Sequence, residues 1–366
     1  MTGDAVDVAM VVEQCWQPVP GGSATYVLHL LEALGRRDDV RVVGVTARHD
    51  APPEHGGAPD VPLRASRLPR PLLYESWRRL GRPRLEGLVP DAAVAHAPTW
   101  AVPGTALPLV VTVHDLAFQD DPGHFTARGA AYFAAALERV RREARAVLTP
   151  SRYTADACVR AGVPAGRVTV VPHGVTAPAV TAQQVADLRE RHALRRPYVL
   201  WCGTLEPRKN VARLVHAFRA LDRTDLDLVL VGPTGWGDGV LPADVAADPR
   251  VRVLGRLPDP DLHAAYAGAE VFAFPSIREG FGLPVLEAMA HGTAVVTSAG
   301  TACAEVAGDA AVLVDPLDVS SVRDGLARAL GPAHEDLRAA SAARAAGFTW
   351  DASAAAHAEV YRDVRR

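Results

Sequence analysis

Charge is scarce in this chain. Only 22% of its 366 residues are charged and the formal net charge is −3, so no basic excess is available to hold a nucleic acid. Long apolar runs are also missing, and none approaches the length needed to span a bilayer. No early stretch joins a basic region, an apolar run and a cleavage site, because Asp4 and Asp7 precede a short apolar run of strand type. Cys15, Cys158, Cys202 and Cys303 are scattered without metal-ligand spacing and read as reduced, mostly buried thiols of a cytoplasmic protein. What remains is a composition that is 49% hydrophobic, that of a globular protein, in a chain long enough for two domains. The abundance of Ala, Arg and Pro supports no functional inference.

Apolar runs of the kind found in fully covered parallel strands recur along the chain, separated by helical patterns. Val6 to Val12 is the first, leading through a loop with Gly21 and Gly22 to a helix from Ala24 to Leu34 that Ser23 is placed to cap. A glycine pair at a strand's carboxyl end marks the ligand crevice of an open α/β sheet, although it is not a GxGxxG fingerprint and indicates no nicotinamide dinucleotide. Residues 49–71 show no periodicity and read as a loop. Leu107 to Val113 ends in His114, which such a strand end turns either toward the crevice or into a structural role. Phe125 to Ala146 has helical periodicity, and the arginines crowded at its end either complement the helix dipole or face anionic lipid or a polyphosphate acceptor. In the second half, Tyr198 to Gly203 is a strand, and Arg208 and Lys209 follow it at a helix start. A helix start usually disfavours cations, and basic residues there make sense if an anion occupies the site between them and the helix.

The most informative stretch is Ser276 to Ala290. It leaves an apolar strand, Val271 to Pro275, passes through Glu279, Gly280, Phe281 and Gly282, and enters a helix at Leu283-Pro284. Proline suits the first helical turn, and the open amides there, with the helix dipole, make a seat for a phosphate or a polyhydroxylated group. Glu279 and Glu287 bracket the turn with seven residues between them. They read either as acceptors for sugar or ribose hydroxyls or as solvated side chains.

Glu279-Gly-Phe-Gly-Leu-Pro-Val-Leu-Glu287-Ala-Met-Ala resembles the donor signature of the retaining glycosyltransferases of family 4, which have the GT-B fold. The resemblance extends in order over most of the chain, through Val113-His114-Asp115, Val170-Val-Pro-His-Gly-Val175, Gly203-Thr-Leu-Glu-Pro-Arg-Lys-Asn210 and Gly255-Arg-Leu257-Pro258. It is weakest between His49 and Trp100. It implies an α/β chain of two Rossmann-like βαβ domains facing an interdomain cleft. Residues 1–194 would be the acceptor-binding domain, 195–350 the nucleotide-sugar-binding domain, and 351–366 a helix returning to the first. The resemblance places Gly21, Gly22 and His114 near the donor sugar and diphosphate, and Arg208 and Lys209 on the diphosphate. It puts the backbone of Leu257 at the base, the Gly280 to Leu283 amides (Phe281 and Gly282 among them) at the donor, Glu279 on sugar hydroxyls and Glu287 on the ribose. His114, Lys209 and Glu279 carry the catalytic assignment. Many members carry a further Arg where this chain has Thr204, which leaves open how many cations meet the phosphates.

The implied activity is transfer of a hexosyl group, mannosyl as first guess, from a GDP- or UDP-sugar to a glycan, glycolipid or small-molecule hydroxyl, with no cofactor or metal. No Asp-rich metal motif stands in the expected place. The expected setting is cytoplasmic, with peripheral contact at the inner membrane surface left open. A GT-B nucleotide-sugar epimerase and a non-catalytic nucleotide-sugar-binding protein are the alternatives.

Overall fold

The computed structural model of the chain describes residues 5–18, 21–54, 57–120, 126–235, 240–241 and 244–366. Two compact units divide it. One runs to Gly174 and takes in the last segment, Thr349–Arg366, while the other is Val175–Phe348. Each is built on one parallel sheet.

The first unit's strands are β1 Val6–Val11, β2 Val40–Thr46, β3 Leu63–Ala65, β4 Val94–Ala97, β5 Leu109–Thr112, β6 Ala144–Thr149 and β7 Val168–Val170, in the order β3-β2-β1-β4-β5-β6-β7. The second unit holds β8 Tyr198–Cys202, β9 Asp227–Val231, β10 Val251–Gly255, β11 Val271–Phe274, β12 Ala294–Ser298 and β13 Val312–Val314, ordered β10-β9-β8-β11-β12-β13. Both orders reverse direction once, between β1 and β4 and between β8 and β11. Ligands of open α/β sheets bind beyond the carboxyl ends of the strands at such reversals. Strands β4, β5, β9, β11 and β12 are buried along their whole length, as a sheet covered on both faces requires.

Several boundaries depart from the sequence reading. The second unit begins at Val175 rather than at residue 195, because Leu188 and Leu194 are buried in its core and the Val175 N–H donates to Phe348 O at 3.1 Å. Thr349 opens the final segment, and its hydroxyl caps the helix Trp350–Arg365 by accepting from the Ala352 N–H at 3.1 Å. Trp350, Ala354, His357, Ala358, Tyr361 and Val364 form the buried stripe of that helix against the first unit's core. Gly174 lies so close beneath it that an added Cβ would stand 2.2 Å from the Trp350 nitrogen.

Within the segment read as loop, β3 pairs with β2, but all three of its residues are exposed, so no apolar pattern marks it. Ser23 is not a cap, since the helix already begins at Gly21 and runs to Gly35. The helical periodicity read to Ala146 ends at Glu143, because Ala144 and Ala146 are buried in β6. Val19, Pro20 and the expected helix start at Phe125 lie outside the described residues. No described helix is long and apolar enough to cross a membrane.

Candidate active site

In the second unit, the turn after β11 is held open from below. Asn210 Nδ2 donates to Pro275 O at 2.8 Å and Ser298 Oγ donates to Ser276 O at 2.6 Å. Gly282 adopts φ 106°, and an added Cβ there would stand 2.8 Å from Cys303 Sγ, so both conformation and space call for glycine. The helix Leu283–Ala290 starts immediately, with Pro284 in its first turn. The N–H groups of Gly282 and Leu283 stand at that start, where a helix offers no acceptor of its own.

The cations arrive from the neighbouring strand. After β8 the chain makes a short 3-10 turn, Pro207–Lys209, then bends through Asn210 at φ 61° into the helix Val211–Arg219. The Ile277 N–H donates to Arg208 O at 2.8 Å and so stitches the two turns together. Lys209 Nζ lies 2.6 Å from Glu279 Oε1 and 4.9 Å from the centre of the Phe274 ring. Arg208 sets one guanidinium nitrogen 3.1 Å from Glu279 Oε2 and its Nε 2.6 Å from Glu206 Oε1. Ser276 Oγ donates to Glu279 Oε1 at 2.6 Å. Burial alone would raise the Glu279 carboxyl, but Lys209, Arg208 and the Ser276 hydroxyl hold it down at about 2. Glu279 is therefore a buried carboxylate bridging two cations at the sheet's reversal.

Glu287 lies further on, in the helix itself, and Tyr266 donates its hydroxyl to Glu287 Oε2 at 2.8 Å. Burial raises the Glu287 carboxyl, Asp259 adds to the rise, and the Tyr266 bond opposes it. Cys202, at the end of β8, feels both Glu287 and Lys209, and burial pushes its thiol up to about 12, which makes it an inert neighbour of the site. Leu257 buries its side chain in the unit's core. Phe281 is also buried and meets Phe348 edge-on at 6.1 Å.

Gly21, Gly22 and His114 belong to the first unit. Gly21, at φ 61°, opens the helix after β1, and both glycines are exposed. Tyr26 of that helix packs edge-on against His114 at 4.9 Å. His114 donates from Nε2 to Pro98 O at 2.9 Å, which leaves Nδ1 as the acceptor of the neutral ring, 3.3 Å from His173 Nε2. Burial lowers its pKa, so His114 is a neutral ring fixed in one tautomer.

Sequence reasoning missed Glu206, Ser276, Tyr266, Tyr26 and His173, all of which hold the selected side chains. Lys209 carries a stronger signal than its place at a helix start. It is the only lysine among 39 basic side chains, the other 38 being arginine. Its compact ammonium stands at the point where Glu279 is neutralised.

Two units, each built on one parallel sheet that reverses once, define an α/β protein of the GT-B architecture. The comparisons agree. Residues 20–177 match the model described as Glycosyltransferase Family 4, and residues 196–331 match that for Glycosyl transferases group 1. O-antigen chain mannosyltransferase B of Escherichia coli is 32% identical over 296 residues, covering 77% of this chain and 78% of that protein. The MMP alpha-(1->4)-mannosyltransferase of Mycolicibacterium hassiacum is 32% identical over 63% of this chain and 56% of its own length. Among solved structures, a sucrose-phosphate synthase from Thermosynechococcus elongatus superposes with a TM-score of 0.77 at 22% identity, covering 98% of both chains. Anabaena HepE in complex with UDP and glucose gives 0.75 at 19% identity, covering 98% of this chain and 100% of that one. The chain belongs to the group 1, family 4 glycosyltransferases and is an enzyme of glycosyl transfer.

Proposed function

We propose that the protein transfers a hexosyl group, mannosyl in the first instance, from a nucleoside-diphosphate sugar to a hydroxyl acceptor with retention and without a metal. The observation that carries this is the Lys209–Glu279–Arg208 cluster beside the start of helix Leu283–Ala290. Cations and helix-start amides converge where a departing diphosphate would gather charge, and preorganised groups of this kind are commonly the largest contribution to catalysis. Mannosyl transfer is supported by relatives with mannosyltransferase names.

In this reading the acceptor oxygen bonds to the anomeric carbon as its bond to the β-phosphate oxygen breaks. The acceptor proton passes to that departing oxygen, so no enzyme nucleophile takes part. Lys209 and Arg208 carry the growing phosphate charge, Glu279 holds sugar hydroxyls, Glu287 the ribose, and the backbone beside Leu257 the base. Gly21, Gly22 and His114 are assigned to the donor and acceptor by the resemblance of their motifs to the family's.

The test is a thermal shift against UDP, GDP, ADP and dTDP without added metal, followed by turnover. Ligand at 100 times its Kd stabilises by about 2.7 kcal/mol. A shift with one nucleotide names the base, and no shift with any of them defeats the donor-site reading. Turnover should need acceptor and survive EDTA, whereas conversion of donor alone would mark an epimerase. Glu287→Ala should raise the donor KM roughly 10- to 100-fold with kcat little changed, the cost of one hydrogen bond to a charged group. Steady-state kinetics at varied donor check this.

A further inference from the structure

Two cations meet two carboxylates in the second unit, and the carboxylates are not equivalent. Glu279 reaches across from the turn after β11, where Gly280 and Gly282 lie close by in the chain. Glu206 belongs to the same short turn as the cations. Its carbonyl accepts the Lys209 N–H at 3.0 Å, its Oε1 lies 2.6 Å from Arg208 Nε, and it is 2% exposed. A backbone hydrogen bond and an ion pair tie Glu206 to the loop that carries the cations. Glu279 is the one placed to share its charge with a ligand.

We propose that Glu206 is a positioning residue of the donor site, the fixed counterion that orients Arg208 and limits how tightly the departing nucleoside diphosphate is held. This rests on the donor-site reading above. With Glu206 on Nε, the guanidinium is turned so that its other edge meets Glu279 and the Arg278 carbonyl, 3.2 Å away. Its charge is also half answered before any phosphate arrives. Without Glu206 the two cations would face Glu279 alone, and a site left with one net positive charge would bind the product diphosphate more tightly and release it more slowly. Glu206 trades affinity for release.

The test is titration calorimetry with GDP and with UDP at fixed ionic strength, on wild type, Glu206→Gln and Glu206→Asp. Glutamine keeps the size of the side chain and removes the charge, so the nucleotide Kd should fall about tenfold, the scale of one charge near a partly buried ion pair. Product inhibition should strengthen and the donor KM should not rise. A role confined to stability would lower Tm and leave the Kd unchanged or weaker, which overturns the inference. Aspartate keeps the charge and should stay within about threefold of wild type, well under the tenfold that 1.4 kcal/mol represents. If the glutamine variant does not fold, aspartate decides alone, and a folded Asp variant binding tenfold differently sinks the idea. Wild type binding neither nucleotide would bring down the donor-site reading and this inference with it. Wild type binding while Glu206→Gln binds no tighter removes the inference only.

Discussion

Lys209→Arg should lose transfer almost as completely as Lys209→Ala, by about 10²- to 10³-fold in kcat, the range seen when a single preorganised electrostatic group is removed. Charge is kept in the arginine variant, so the loss comes from shape. Lys209 is 8% exposed, and its ammonium is enclosed by Glu279 Oε1 at 2.6 Å and the Phe274 ring at 4.9 Å. A planar guanidinium is wider than an ammonium and presents a fixed fork of donors rather than a point charge. Seated in that space, it should push Glu279 off Ser276. Initial rates of the two variants beside wild type check it.

Stability and activity should separate at the same pair. Lys209→Met removes the chief cation holding the Glu279 carboxyl at about 2, leaving burial to raise it. Arg208 and Ser276 remain, so the expected cost is about 1–3 kcal/mol, that of an under-satisfied buried group. Adding Glu279→Gln should recover most of the lost Tm, because removing both members of a buried ion pair costs far less than removing one. Turnover should not recover. Recovery of turnover in the double variant would show that neither charge serves the chemistry. Thermal melts beside initial rates on the three proteins read both effects.

Much of this site was legible because its parts are local. Glu279, Gly280, Gly282, Leu283 and Glu287 sit in one strand–turn–helix passage whose glycines and proline have few other uses, and Arg208 and Lys209 sit in another. What escaped was whatever depends on contacts far along the chain. Nothing in the local pattern of Tyr26 announces that its hydroxyl lies 2.8 Å from His357 Nε2, 331 residues away. Ser276 looks like a strand-end serine until Glu279 folds back on it. Glu206 reads as one more loop glutamate until the 3-10 turn presents its carboxylate to Arg208. The same distinction holds for the fold. β8 and β11 are apolar runs and were visible, whereas the exposed β3 gains its place only by pairing with β2. The unit boundary at Gly174 depends on Leu188 entering a core that no linker composition marks.

Acid should weaken the first unit long before Glu279 titrates. Its last helix is joined to the strand ends by a hydrogen-bond chain whose direction one carbonyl fixes. His357 Nδ1 lies 2.7 Å from Ser353 O and must donate, so Nε2 accepts from the Tyr26 hydroxyl at 2.8 Å. Tyr26 then accepts from Thr112 at 2.9 Å, Thr112 from His96 Nε2 at 2.9 Å, and His96 Nδ1 from Tyr361 at 2.8 Å. Every ring in the chain is neutral, with one tautomer assigned to each. His114 and His173 pack against Tyr26 beside it. Burial lowers the pKa of His96, His114, His173 and His357, that of His357 to about 4, while the Pro98 carbonyl and then Asp115 pull His114 the other way and the Ser353 carbonyl does the same for His357. A histidine with a folded pKa below its unfolded value contributes stability that is complete above about 6.5 and lost as pH falls toward the folded value. His357 alone therefore accounts for about 3 kcal/mol between pH 6.5 and 4, because each pH unit separating the folded from the unfolded value is worth about 1.4 kcal/mol. The Glu279 contribution is lost only lower, from its unfolded value near 4.5 down to about 2. Urea unfolding followed from pH 7.5 to 4.5 should show the steep loss. His357→Gln, which keeps an acceptor for Tyr26, should start about 1–3 kcal/mol less stable at pH 7.5 if its hydrogen bonding is imperfect. Its acid slope should nevertheless be shallower by up to about 1.4 kcal/mol per pH unit, one proton fewer. An unchanged slope would mean that His357 is not held neutral by the fold, and the hydrogen-bond chain would lose its direction with it.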